Sequence, residues 1–387
     1  MNEGDENARR AAPALAARLP DEIAEWLGGI GEPRYRAVQL FRWLHRRGVF
    51  EPERMTDLGA ALRRRLTEAG LAPPAEVVEV RRGRDGTRKL LLLLADGARI
   101  EAVVIPMTAA SSGDAVDDED DARSVPGRVT LCVSTQVGCA MGCVFCASGQ
   151  AGLVRGLGAH EIVAQVLLAR GYLDPGEELK NLVFMGMGEP LHHYDETARA
   201  IRLLTHADGL GMSPRRITVS TVGLVPGIRR LGRDFAGKVG LAVSLHAPDD
   251  VTRSGILPMN RRYPMRELLA ELKAYPMPRR RRITIEYTLI AGVNDGVEQA
   301  RRLAEFLRGL RVKVNLIPMN SIAASALRAP MDDVVERFRE ELAARGLSCF
   351  VRTRRGDDVA AACGQLALSG IGGRPPRGGG EACSARS

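Results

Sequence analysis

The sequence predicts an α/β protein built on a partial (β/α) barrel of TIM type, preceded by a small N-terminal helical domain and a short antiparallel β segment. Three observations carry this reading. From residue 129 onward, strand-like apolar runs alternate with helix-like ones, the pattern of a parallel sheet curled into a full or partial barrel. Residues 20–72 place apolar side chains at helical spacing, and residues 76–105 are β-rich runs cut by Asp-Gly pairs.

Taken in order, helices are expected at 21–27, 35–47 and 58–69, with Gly and Pro between them. Arg34, Arg36, Arg42, Arg46, Arg47 and the run 63–65 could face phosphates, although a solvated helix face is the commoner meaning of such a pattern. Strands follow at 77–80, 89–94 and 99–105, turned by Asp85-Gly86 and Asp96-Gly97. Residues 107–127 are rich in Ala, Ser, Gly and acids and read as a mobile insertion. Barrel strands are expected at 129–137, 181–185, 216–220, 239–245, 283–290, 312–317 and 349–352. Helices fit between them at 159–172, 194–204, 226–231, 265–274, 296–310 and 331–344. The tail after Leu368, Gly-rich among Arg and Pro, reads as disordered. The expected division is therefore 1–75 (helical, RNA-binding accessory), 76–106 (β segment), 107–127 (insertion), 128–355 (barrel) and 356–387 (C-terminal segment and tail).

Composition narrows the function. The apolar run from Leu90 to Ala95 is far shorter than the roughly 20 residues a membrane-spanning helix needs, so no membrane partner is expected. Three acidic residues among the first six do not suit a secretory signal, and a cytoplasmic location follows as an expectation. Lys plus Arg outnumber Asp plus Glu by 55 to 47, a formal +8 that suits a nucleic-acid partner, whereas aromatics at 4% advertise no base-stacking platform. Seven cysteines, four of them between 132 and 146, point to metal or redox chemistry in place of a disulfide framework.

The chemistry concentrates at Cys139-Ala-Met-Gly-Cys143-Val-Phe-Cys146, three thiols at spacings of four and three in a loop with Gly138 and Gly142. A [4Fe-4S] cubane normally takes four thiolates. Three leave one iron open to a chelating small molecule. A zinc site completed by a remote residue such as His246 is the bland alternative, but zinc favours paired CxxC motifs, and there is no second pair. The CxxxCxxC spacing resembles the radical S-adenosylmethionine (SAM) superfamily, in which the open iron holds the amino and carboxylate end of SAM and an electron from the cluster yields a 5'-deoxyadenosyl radical. Gly186-Met-Gly188-Glu189-Pro190 follows a predicted strand; its glycines admit a ligand, and its carboxylate suits an ammonium group. Ser220, Ser244-Leu245-His246 and Asn320 stand at the ends of further predicted strands, on one mouth of the barrel.

Cys132-Val-Ser-Thr-Gln-Val-Gly-Cys139, the Gly-Met-Gly-Glu-Pro box, Ser244-Leu-His-Ala-Pro248, Asn315-Leu-Ile-Pro-Met-Asn320 and Arg355-Gly-Asp-Asp-Val-Ala-Ala-Ala-Cys363-Gly-Gln-Leu366 together resemble the RlmN/Cfr family of RNA adenine methyltransferases, from about Ile23 to Leu366. The resemblance implies methylation of an aromatic carbon of 23S rRNA or tRNA. It implies one [4Fe-4S] cluster on Cys139, Cys143 and Cys146, two SAM per turnover, and SAM contacts from Gly188, Glu189, Ser220, Ser244, Leu245, His246 and Asn320. It also implies that Cys363 carries the methyl group as S-methylcysteine, that Cys132 closes a transient disulfide with Cys363, and that Glu101 accepts the ring proton. A monomer fed by an external electron donor such as flavodoxin or ferredoxin is expected. Met141, Gly142, Val137-Gly138 and Gly356-Asp-Asp358 are more similar to the housekeeping members, which modify adenine C2, than to the resistance members, which modify C8. Cys349 and Cys383 match no functional position and read as a core filler and a bystander. The insertion at 107–127 and the stretch 321–326 depart from the usual family pattern. Two rivals remain: a sulfur-inserting radical enzyme, which needs a second cysteine trio, and a non-catalytic iron-sulfur protein that binds ribosomal RNA.

Overall fold

The computed structural model describes residues 15–107, 127–322, 325–352 and 355–366. Most of the expected insertion, the tail and Cys383 lie outside the described residues. Of the described chain, no helix is long and apolar enough to cross a membrane.

Helices α1 (Pro20–Gly29), α2 (Tyr35–Arg42) and α3 (Ala60–Glu68) form the N-terminal part, with α2 running on into a wider turn at Trp43–Arg47. Pro20 opens α1, and the Glu22 carboxylate accepts the Leu19 N–H at 2.8 Å, satisfying an otherwise orphaned donor. Ile23, Leu27, Leu40, Leu44, Leu62 and Leu66 are buried in one core that continues into the barrel. His45 lies in this core against Phe41, its ring 4.4 Å away, and burial brings its pKa down to about 3.

The ten-stranded sheet has the order β1-β2-β3-β4-β7-β8-β9-β10-β11-β12. Strands β1 (Ala75–Arg82), β2 (Arg88–Leu94) and β3 (Arg99–Pro106) are antiparallel. They do not form a sheet of their own: β3 pairs antiparallel with β4 (Arg128–Cys132), setting Val103 opposite Cys132. The remaining strands are β7 (Glu178–Phe184), β8 (Ile217–Thr221), β9 (Gly240–Ser244), β10 (Ile283–Leu289), β11 (Val312–Pro318) and β12 (Ser348–Val351), and they continue parallel from β4. With β1 and β12 at opposite edges, the sheet is an open barrel.

The expected strand 129–137 is two strands. Beyond β4 the chain turns where Ser134 Oγ donates to Glu101 O (2.6 Å) and Ser134 N to Gln165 Oε1 (2.8 Å). It then forms β5 (Gln136–Gly138), which pairs with β6 (Leu153–Gly156) in a small ribbon. Helices α4 (Ala147–Ala151), α5 (Ala159–Ala169), α6 (Tyr194–Thr205), α7 (Val225–Phe235), α8 (Asp250–Ile256), α9 (Met265–Ala274), α10 (Val297–Phe306) and α11 (Asp332–Ala344) join the strands. α9 matches its expected span. α8 was not legible from periodicity, because polar residues dominate it; Asp249 starts it by accepting the Thr252 N–H at 2.8 Å.

Residues 355–366 leave the β12 edge and reach back to the β1–β3 edge. Arg355 Nη1 donates to Pro106 O (3.0 Å), Gly356 N to Asp85 Oδ2 (3.0 Å), and Lys89 Nζ to Ala360 O (3.2 Å). This strap spans the gap in the barrel and places Cys363 at it.

Candidate active site

The cysteine loop is clamped by the β5–β6 ribbon, where Cys139 N donates to Gly152 O at 2.9 Å, and by α8, where Val144 N donates to Ile256 O at 3.1 Å. Cys139 and Cys143 are buried and Cys146 half-buried. All three line one cavity of about 930 Å3 including its open mouth, together with Gly188, Glu189, Ser220, Ser244, His246, Asn320 and Cys363. The sequence-derived set therefore converges at the carboxyl ends of the strands, as barrel sites do. Three members stand back from this wall. Leu245 is fully buried behind it. Cys132 lies in an apolar pocket with Val103, Met187, Ala361 and Leu366. Glu101 is buried and ion-paired with Lys89.

Burial raises the thiol pKa of each trio member, Cys139 to about 12 and Cys143 well above its usual value, and each ionised thiolate makes the next harder to ionise. Such a trio is stable as thiolates only when a cationic centre binds them. Among the described residues no three His, Cys, Asp or Glu side chains converge on a single-ion site. A cubane, whose irons each take their own thiolate, requires no such convergence.

Behind the trio the Gly-Met-Gly-Glu-Pro turn is packed to its limit. A Cβ on Gly186 would stand 2.7 Å from the Val133 main chain. One on Gly188, whose φ is +105°, would stand 2.6 Å from the Gln136 side chain. Gln136 Oε1 accepts the Glu189 N–H at 2.9 Å. The Glu189 carboxylate accepts from Leu191 N (3.0 Å) and Val222 N (2.9 Å), yet burial still pushes its pKa up to about 7. His246 adopts a left-handed φ of +59°, rare for a side-chain-bearing residue, held by Asn294 Nδ2 donating to its carbonyl at 2.7 Å. Its Nδ1 accepts the Thr288 N–H at 2.9 Å, so the neutral ring carries its proton on Nε2; burial, with Arg253 nearby, keeps the pKa at about 3.

Asn320 Nδ2 donates to Cys363 O at 3.0 Å, Ala147 N to Gly364 O at 2.8 Å, and Ser148 Oγ to Leu366 O at 2.5 Å. The strap is thereby stitched to the start of α4, directly after Cys146. Arg352 Nη1 lies 4.0 Å from Cys363 Sγ and 3.9 Å from Glu286 Oε2. Burial, then the neighbouring Cys363, pushes the Cys132 thiol up to about 12. All six described cysteines are free, so the Cys132–Cys363 disulfide is not a feature of this state.

Four further residues shape the site and were not singled out from sequence. Arg253 is buried and donates to the carbonyls of Leu245 (3.0 Å), Val222 (2.6 Å) and Ser244 (3.2 Å) and to Asn260 Oδ1 (2.8 Å), fixing the ends of β8 and β9. Glu286, Arg352 and Lys89 are the others. An acid inside the apolar run of β10 was a visible signal for Glu286; nothing local marks Arg253.

Residues 19–70 match the ribosomal RNA large subunit methyltransferase N-terminal domain, and residues 133–307 match the radical SAM superfamily. The chain is 58% identical over 370 residues to the dual-specificity RNA methyltransferase RlmN of Sorangium cellulosum, covering 92% of this chain and 95% of that protein. It is 46% identical to the protein of the same name from Anaeromyxobacter dehalogenans, covering 94% of each. The crystal structure of a radical SAM methyltransferase from Sphaerobacter thermophilus superposes with a TM-score of 0.82 at 45% identity, covering 91% of this chain and 98% of that one. An open parallel barrel with a cysteine trio at its carboxyl mouth, matched in this way, defines a radical SAM enzyme, a class that implies a [4Fe-4S] cluster and SAM. The chain belongs to the RlmN family and is a SAM-dependent RNA methyltransferase.

Proposed function

We propose that this enzyme methylates C2 of one adenine in the peptidyl-transferase centre of 23S rRNA and C2 of the adenine next to the anticodon (position 37) in some tRNAs, through S-methylcysteine at Cys363. The observation that carries this reading is that Cys363, on the strap beyond the barrel, shares a cavity wall with Cys139, Cys143 and Cys146. A cluster ligand trio alone needs no such fourth thiol. The relatives' name, dual-specificity RNA methyltransferase, agrees with two RNA substrates.

In this reading Cys139, Cys143 and Cys146 hold the cluster, and Gly188, Glu189, Ser220, Ser244, Leu245, His246 and Asn320 surround SAM. Bound there, the two supply a 5'-deoxyadenosyl radical. Glu189 offers a carboxylate to the N–H of the methionyl amino group, and His246 an Nε2–H donor. Cys363, as thiolate, attacks the methyl carbon of one SAM and releases S-adenosylhomocysteine; a hydrogen of the resulting S-methyl group then passes to the radical derived from a second SAM, giving 5'-deoxyadenosine, which makes two SAM per turnover. Once the Cys363-borne carbon is bonded to the base, Glu101 takes the ring proton. After the adduct has returned its unpaired electron to the one-electron carrier that began the cycle, Cys132 as thiolate attacks the Cys363 sulfur, forming the disulfide and breaking the bond from that sulfur to carbon, which takes up a proton to become the methyl group. For Glu101 to reach the base, the bridge from Lys89 to the Ala360 carbonyl of the strap must shift. A flavodoxin or ferredoxin supplies the electron, and the enzyme works as a cytoplasmic monomer.

Mass spectrometry of rRNA and tRNA incubated with the reconstituted enzyme, SAM and a reductant tests the product. 2-Methyladenine in both RNAs is expected. 8-Methyladenine alone would reverse the assignment, and no methylated base with no 5'-deoxyadenosine would leave an RNA-binding iron-sulfur protein.

A further inference from the structure

From Val129 to Val154 the chain contains no Lys, Arg, His, Asp or Glu. The cysteine loop lies inside this stretch, and its outer surface is uncharged: Ala140, Ala151 and Gly152 are exposed, as are Leu153 and Val154 of β6, the latter at 70%. Ala140 follows Cys139 in the chain, and Gly152 O accepts the Cys139 N–H at 2.9 Å. A single layer of chain therefore separates the buried Cys139 from solvent.

The patch continues onto the turn after α8. A Cβ on Gly142 would stand 3.7 Å from the Pro258 ring, and Val144 N donates to Ile256 O, so the exposed Gly255 and Pro258 border the loop. That turn (Pro258–Arg261) leads into Arg261 and Arg262, both exposed and neither ion-paired among the described residues. The acids nearest them are engaged: Asp249 caps α8 and faces Arg302 at 3.8 Å, and Asp250 accepts from Asn260 Nδ2 (2.8 Å) and Met265 N (2.9 Å). Arg155, at the opposite border, is ion-paired with Asp96 and Glu161. The face thus has an uncharged centre and one cationic margin.

Charge-depleted centres with charged rims mark protein interfaces, whereas RNA phosphates need cations across the contact. A patch of this size suits a brief electron-transfer encounter, which buries less than about 1,200 Å2. We propose that this face docks the one-electron carrier, an acidic flavodoxin, with carboxylates of the carrier against Arg261 and Arg262 and its apolar contact on Leu153 and Val154. The reduced carrier gives up one electron, the cluster held by Cys139, Cys143 and Cys146 accepts it, and no bond forms or breaks. Complementary charge steers the encounter, and salt weakens it. This inference rests on a protein carrier as the source of the electron.

The test uses the full-length reconstituted enzyme and fluorescein-labelled flavodoxin, its affinity followed by anisotropy across a salt series. Arg261→Glu/Arg262→Glu and, separately, Val154→Asp should each weaken binding about 10-fold at low salt, and the arginine variant should also flatten the salt dependence. Arg308→Glu/Arg337→Glu, at exposed positions just after α10 and on α11, is the charge-matched control, expected within about twofold of wild type. With limiting reduced flavodoxin, 5'-deoxyadenosine formation in both patch variants should slow about 10-fold, and with dithionite, which needs no docking face, it should stay within about twofold of wild type. Absent binding by wild type, unchanged affinity in the patch variants, an equal loss in the control, or an equal loss with dithionite would overturn the assignment. So would loss of RNA stem–loop affinity, or of a concentration-dependent dimer, with flavodoxin binding intact: the face would then belong to RNA or to a second copy. Should wild type form no 5'-deoxyadenosine even with dithionite while flavodoxin affinity still falls in the variants, the docking face stands and the catalytic reading fails.

Discussion

Lys89 Nζ lies 3.0 Å from Glu101 Oε1 and donates to Ala360 O at 3.2 Å, so one buried ammonium joins the carboxylate of β3 to the strap that carries Cys363. Both side chains are about 5% exposed (6% and 5%), and removing either takes an ion-pair partner from the other in a low-dielectric setting. Lys89→Met should cost about 3–5 kcal/mol of stability, and Lys89→Met/Glu101→Gln distinctly less than the two single losses added together. Urea unfolding of the four proteins measures the coupling. Strict additivity would show that the pair does not act as a unit.

Glu189 gives the site a pH dependence. Its pKa is pushed up to about 7 by burial, so it is mainly neutral at pH 6 and mainly ionised at pH 8. The amino N–H donors of SAM are held by the ionised carboxylate, so binding releases a proton wherever the free Glu189 holds one. SAM affinity of the cluster-loaded enzyme should therefore fall about 10-fold per pH unit below 7 and level off above it. Glu189→Gln should bind SAM weakly with a flat profile; an unchanged profile in that variant would remove Glu189 from the amine site.

Arg253 is held as a planar fork by three carbonyls and Asn260. Lysine has no such fork and satisfies fewer of these acceptors at once. Arg253→Lys should loosen the ends of β8 and β9, weakening SAM binding about 10-fold while the protein stays folded. Equilibrium binding alongside circular dichroism checks this, and wild-type affinity would show that the strand ends hold without the fork.

Much of the barrel was legible in the sequence because parallel strands buried on both faces are continuous apolar runs, and α9 was found at its true ends because its apolar residues keep helical period. The break of 129–137 into β4 and β5 was not, since the bend is set by Ser134 bonding to Glu101 and Gln165, residues 33 and 31 positions away. The antiparallel β1–β3 segment was legible from its Asp-Gly turns, whereas its pairing with β4 leaves no local mark. Within the site, Cys139, Cys143 and Cys146 were visible from spacing alone. Cys363 came from resemblance, because 217 positions part it from Cys146 (363 less 146) and only the strap brings the two to one cavity. That Glu101 stands behind the wall, tied to Lys89, follows from tertiary packing that no local pattern encodes.

The account stands or falls on Cys363 as the methyl carrier facing the cluster thiols. Anaerobically reconstituted enzyme incubated with methyl-labelled SAM, then digested and mapped by mass spectrometry, should carry the label on Cys363 alone, with none in Cys363→Ala. Label on another residue, or full RNA methylation by Cys363→Ala, would contradict it.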